Sequence, residues 1–126
     1  MQYALLFYES PTETARRNSP DAQDYWAAWS QYMEMMRDKG IMRGGNALQP
    51  PETKTRVRKD GDTRIIEDGP FAEAREELGG LVVIEVDNID TALLMAEAAP
   101  CARTGHVEVR PILIASDDTA GEAGAP

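Results

Sequence analysis

Apolar positions recur every second residue over residues 2–8, with Tyr3, Leu5 and Phe7 on one side and Ala4, Leu6 and Tyr8 on the other. Both sides are largely apolar, which predicts a strand covered on both faces. Residues 9–18 carry a proline and no clear period, and read as a loop. Ser19-Pro20-Asp21 then forms a helix start, with a capping hydroxyl, a proline suited to the first turn and an acid at the positive end. Ala22, Trp26, Trp29, Met33 and Met36 follow at helical spacing, with Tyr25 and Tyr32 at the margin, so one buried face is predicted. Gly40 suits a left-handed helix stop.

The centre of the chain reads as β structure. Residues 41–48 are a glycine-containing strand candidate interrupted by Pro50-Pro51. Residues 53–58 alternate, with Lys54, Arg56 and Arg58 on one side, and Asp60-Gly61 fits a hairpin turn before the return strand 63–67. Asp68-Gly69-Pro70-Phe71 predicts a sharp turn into a short acidic helix over residues 72–78. Gly79-Gly80 then releases the chain into an apolar strand over residues 81–86. Asn88 is placed to cap a second helix, whose inner stripe is Ile89, Ala92, Leu93, Ala96 and Ala99 and which Pro100 stops. Residues 106–114 form the last strand; Pro111 requires an edge or a bulge there. Residues 116–126 are small, acidic and aperiodic and read as a disordered tail.

This order predicts an α+β fold, a ferredoxin-like antiparallel sheet with two main helices on one face. Two helices cover one face only, while two strands are apolar on both. A second copy is therefore expected on the open face, giving a homodimer through sheet faces.

Composition narrows the function. The chain has 126 residues, hence one domain over residues 1–115 plus the tail, and 13 Lys and Arg against 22 Asp and Glu, for a formal charge of −9. Such an excess of acid speaks against nucleic acid as a partner. No apolar run approaches a membrane span, no leader is evident, and a single Cys fits a reducing cytoplasm. No phosphate loop or dinucleotide fingerprint is present, so no cofactor is expected.

Several side chains carry candidate chemistry. Asp68 is either an acid–base group at the rim of a cleft or the acceptor that structures its own turn. His106, the one histidine, is the other acid–base candidate, against an exposed position at a strand start. Phe71 is a core plug or a stacking platform for a ligand. Arg75 can clamp an anion or pair with Glu73, Glu76 or Glu77, and those three acids read as a solvated face rather than a metal site. Glu108 and Arg110 share one side of the last strand, where they can hold a ligand's polar group or form a charge pair. Cys101 lacks the partners of a nucleophile, and Trp26 and Trp29 are expected in the core.

The run Asp68-Gly69-Pro70-Phe71-Ala72-Glu73-Ala74-Arg75-Glu76, followed by Gly79-Gly80 and a strand ending in Glu85-Val86, resembles the signature of the YCII-related family. Within that family it is similar to the bacterial branch named for the DGPF motif. Gly44-Gly45-Asn46-Ala47-Leu48-Gln49-Pro50 and Val107-Glu108-Val109-Arg110-Pro111 extend the resemblance over residues 1–114. It implies a dimeric α+β barrel and no settled activity. Some relatives carry a His and Asp pair near the first helix, which His106 does not match in position. Two functions stand side by side. One is a cofactor-independent enzyme acting on a small metabolite in a barrel cleft, with Asp68 as acid–base group. The other is a non-catalytic dimeric ligand-binding or regulatory module using the same cleft.

Overall fold

The computed structural model describes residues 1–69 and 75–114. The chain forms β1 (Gln2–Glu9), α1 (Pro11–Ala15), α2 (Ala22–Asp38), β2 (Met42–Ala47), β3 (Thr55–Asp60), β4 (Thr63–Asp68), β5 (Glu77–Glu85), α3 (Ile89–Glu97) and β6 (His106–Pro111). Short 3-10 turns follow α1, β2 and α3. The main sheet is antiparallel in the order β2-β5-β1-β6, and β3–β4 pair as a separate hairpin. Without the hairpin and α1, element order and sheet order are those of a ferredoxin-like α+β fold, as the pattern predicts.

The helices lie on one face. Tyr3, Leu5 and Phe7 of β1 and Val82 and Ile84 of β5 pack with Tyr32 and Met36 of α2 and Ala92 and Ala96 of α3. On the opposite face Ala4, Leu6, Tyr8, Leu81 and Val83 are only half-buried. β6 is an edge strand with Pro111 at its end, where a missing N–H is tolerated. Gly40 has φ +71°, and Ile41 N–H bonds back to Met36 O at 3.3 Å, so α2 ends as its glycine predicts. Gly61 turns the β3–β4 hairpin with φ +60°.

Five expectations are corrected. Residues 9–18 are not a loop: Glu9 ends β1, Ser10 caps α1 by accepting from Glu13 N–H, and a 3-10 turn occupies Arg16–Asn18. α2 starts at Ala22, because Ser19 closes the preceding turn, accepting from Asp21 N–H at 3.0 Å, instead of capping the helix. The buried face of α2 is centred on Tyr25, Tyr32 and Met36, while Trp26 is 40% exposed. Hydropathy places tyrosines at a margin, but each hydroxyl here has an internal acceptor, Met95 O for Tyr32 and Glu9 for Tyr25. β5 begins at Glu77, so residues 77–78 are strand and not helix, and Gly79-Gly80 lies inside the sheet. α3 meets the sheet through its alanines, leaving Ile89 and Leu93 at 41% and 49% exposure rather than inside. Residues 72–74 and the proposed tail at 116–126 lie outside the described residues.

Candidate functional site

The alternation that buries Tyr3, Leu5 and Phe7 continues one step further and sets Glu9 on the same face. Glu9 is thus a carboxylate at a core position, only 2% exposed. Burying an ion is costly unless it is paired and hydrogen-bonded, and two residues meet that requirement. The 3-10 turn after α1 aims Arg17 inward, where Nη2 donates to Glu9 Oε1 at 2.9 Å. Tyr25, in the first turns of α2, donates its hydroxyl proton to Glu9 Oε2 at 2.5 Å and accepts from Arg17 Nε at 2.9 Å. Arg17 also donates to two backbone carbonyls, Leu48 O at 2.6 Å and Gly79 O at 3.2 Å. One guanidinium therefore ties together β1, α2 and the ends of β2 and β5. Its charge is supported in spite of burial by the Tyr25 and Glu9 bonds, and it lies 5.3 Å from the centre of the Trp26 ring.

This triad forms one wall of a cavity of about 350 Å³ between α2 and the β2–β5 edge of the sheet. The size suits a small organic ligand. Phe7, Trp26, Trp29, Met33 and Met42 supply the apolar lining, with Phe7 and Trp29 edge to face at 4.9 Å. Ser30, Glu34, Arg37 and Asn46 add polar groups.

Burial raises the Tyr25 hydroxyl far above the usual tyrosine range, and the Glu9 bond raises it further; burial does the same for Tyr32. A group whose folded pKa is raised contributes stability that is complete below its unfolded pKa, about 10 for tyrosine, and is lost as pH rises toward the folded value. Unfolding free energy should therefore fall above about pH 10. In a tyrosinate absorbance titration, Tyr25→Phe and Tyr32→Phe should follow the wild-type curve until the chain opens, and lack amplitude only beyond that point. Native-state loss of amplitude in either variant would contradict the burial described. Cys101 is buried behind the same wall, and burial together with Glu9 pushes its thiol up to about 12.

None of the described acid–base or charged candidates singled out from the sequence lines the cavity; of the side chains weighed there, Trp26 and Trp29 do. Asp68 is exposed at the end of β4, where its carboxylate accepts from Thr55 Oγ1 at 3.1 Å across the hairpin. Arg75 is exposed in a bend before β5. Phe71 lies outside the described residues. His106, Glu108 and Arg110 are registered with Tyr8, Leu6 and Ala4, which puts all three on the sheet face away from the helices. There the His106 ring stacks on Tyr8 at 4.5 Å and 6°. Its Nδ1 meets Glu76, and its Nε2 lies 3.5 Å from Glu108 Oε2. His106 thus has carboxylate partners that no sequence spacing announced. Glu108 neighbours it rather than forming an ion pair with Arg110. Burial and the adjacent Glu108 raise the Tyr8 hydroxyl above its ordinary value. Among the described residues no cluster of three or more His, Cys, Asp or Glu is arranged to hold a metal ion.

Comparisons with known proteins agree with this architecture. An uncharacterized protein of Rhizobium meliloti (strain 1021) is 30% identical over 120 residues, covering 90% of this chain and 94% of its own. Among solved structures, the 5-chloro-2-hydroxyhydroquinone dehydrochlorinase of Burkholderia phenoliruptrix AC1100, in complex with 2,5-dihydroxybenzoquinone, superposes with a TM-score of 0.53 at 15% identity. That match covers 91% of this chain and 96% of the other, and it supports the α+β fold with its antiparallel sheet. The YCII-related domain matches residues 1–116, and the chain belongs to the YCII-related family.

Proposed function

We propose that the protein is a cofactor-independent enzyme that binds a small planar molecule in the cavity beneath α2 and acts on it by acid–base chemistry, with Glu9 as the base. One observation carries this reading: a buried carboxylate stands on the wall of an aromatic-lined cavity, already oriented by Tyr25 and Arg17. Each Glu9 oxygen receives one internal hydrogen bond and retains acceptor capacity for a ligand. A hydroxyl or an acidic C–H presented to it can give up its proton, leaving an oxyanion or enolate on the ligand and a neutral acid at Glu9. Tyr25 and Arg17 are positioning residues that hold the carboxylate still. The fold supports such a ligand, since the dehydrochlorinase of the same fold was solved with a compact oxygenated ring. This assignment moves the acid–base role from the exposed Asp68 and the open-face His106 to Glu9.

The half-buried apolar face of Ala4, Leu6, Leu81 and Val83 supports a homodimer through sheet faces, as the barrel fold suggests. Light scattering should then give twice the mass of one chain. The motif opening at Asp68-Gly69 supports a place in the DGPF branch.

A thermal-shift screen of small metabolites tests the site. A true ligand should stabilise wild type and Asp68→Asn equally, while Tyr25→Phe and Glu9→Gln weaken it by about tenfold or more through loss of a charge-assisted hydrogen-bond network. If Asp68→Asn loses the response and Tyr25→Phe keeps it, the cavity is not the site. Mass spectrometry of the bound compound then separates turnover from simple binding.

A further inference from the structure

We infer that the cavity selects an elongated organic monoanion, with a hydrogen-bond donor at the Glu9 end, a flat apolar middle and a carboxylate at the Arg37 end. The inference rests on the binding reading above and adds the ligand's charge, length and polarity.

The cavity is long, not round. Trp26, Trp29, Ser30, Met33 and Arg37 line it at steps of three, one, three and four residues, a single face of α2 over three turns. From Tyr25 to Arg37 the helix advances about 18 Å, which leaves roughly 8–12 Å between the Glu9 carboxylate and the Arg37 guanidinium once side-chain reach is removed. The opposite wall runs the same way. Gly40 reverses the chain, so β2 starts with Met42 beside the Arg37 end and reaches Ala47, paired with Gly80, at the Glu9 end, where Leu48 N–H bonds to Gly79 O.

The two ends differ in what they accept. At the inner end Arg17 is committed to four acceptors, Glu9, Tyr25, Leu48 O and Gly79 O. Its charge is matched by Glu9, so that end offers a ligand an acceptor and repels an anion. At the other end the Arg37 guanidinium lines the cavity with no hydrogen bond or ion pair to any described residue, although Glu34, also in the lining, stands one turn away on the same helix. A free guanidinium fork on a cavity wall matches a carboxylate in bidentate geometry. Between the ends, Phe7, Trp29, Met33 and Met42 favour a flat, unbranched body. A 4-hydroxycinnamate-like acid has these three parts at this spacing. The duller role for Arg37, a cation in the last turn of α2 facing the helix C-terminus, affects stability slightly and leaves ligand selectivity untouched.

The test uses four probes against the full chain by calorimetric titration: 4-hydroxycinnamate, its amide, its 4-methyl ether and the shorter 4-hydroxybenzoate. The acid should bind at least about tenfold more tightly than each of the others. Arg37→Gln should lower the acid's affinity to that of the amide and leave the amide unchanged. Equal affinity for acid and amide, or an Arg37→Gln variant that weakens both alike, overturns the anion end. Equal affinity for the acid and its methyl ether overturns the donor end. In both cases perturbed Trp26 and Trp29 indole resonances would keep the cavity as the binding site. Failure of all four probes to move those resonances overturns the monoanion and the cavity reading together.

Discussion

Arg17→Met is expected to lower unfolding free energy by about 3–5 kcal/mol, the usual penalty for removing one partner of a buried ion pair. The methionine matches much of the stem's volume, so the loss is electrostatic. Glu9, 2% exposed, would keep only its Tyr25 bond, and Leu48 O and Gly79 O would each lose a donor. Urea unfolding measures the difference directly. Glu9→Leu, Arg17→Met and Tyr25→Phe together remove both charges and the hydroxyl they hold, and should recover most of the loss because apolar groups at the same place need no compensation. A fall below about 1 kcal/mol for the single variant would mean that the pair is solvated, and the site as described would not stand.

The pair also shows where sequence pattern ends. Strands, both long helices, the Gly40 stop, the Asp60-Gly61 hairpin and the Asn88 cap follow from local rules, because period, cap and turn residues act over a few positions. Glu9 breaks such a rule. It continues the alternation of Tyr3, Leu5 and Phe7, yet an ionised group argues against a core position until its partners are known. Those partners come eight and sixteen residues later, Arg17 from a segment with no period and Tyr25 from the margin of a helical wheel. The remaining bonds use backbone carbonyls at Leu48 and Gly79, which leave no trace in residue type. A carboxylate at the next step of a buried alternation was the available signal. Asp68 was conspicuous for the opposite reason: its turn motif is easy to read, and the β3–β4 hairpin carries it to the surface. On the basic side of β3 Arg58 pairs with Glu67 at 3.4 Å, whereas the guanidinium that stands unpaired on the cavity wall is Arg37.

Gly79→Ala should both destabilise the protein, by about 1–3 kcal/mol, and abolish stabilisation by any cavity ligand. Gly79 sits in extended β5, so the substitution carries no left-handed backbone penalty, and by stiffening the unfolded chain alanine would otherwise help. The obstacle is packing. A Cβ there would stand 2.5 Å from Glu9 Oε1 and 3.1 Å from Arg17 Nη2. A carboxylate tip usually swings away from such a contact at little cost. Here it is buried and held from two sides, and moving it breaks the bonds to Arg17 and Tyr25 that neutralise it. Gly44→Ala on β2 is the matched control, because nothing lies within 4 Å of its added methyl group; it should leave the ligand response unchanged and stability unchanged or slightly raised. Thermal unfolding with and without a bound ligand compares the two. If Gly79→Ala behaves like Gly44→Ala, Glu9 is free to move, and a carboxylate that is free to move is not the oriented base on which the acid–base reading depends.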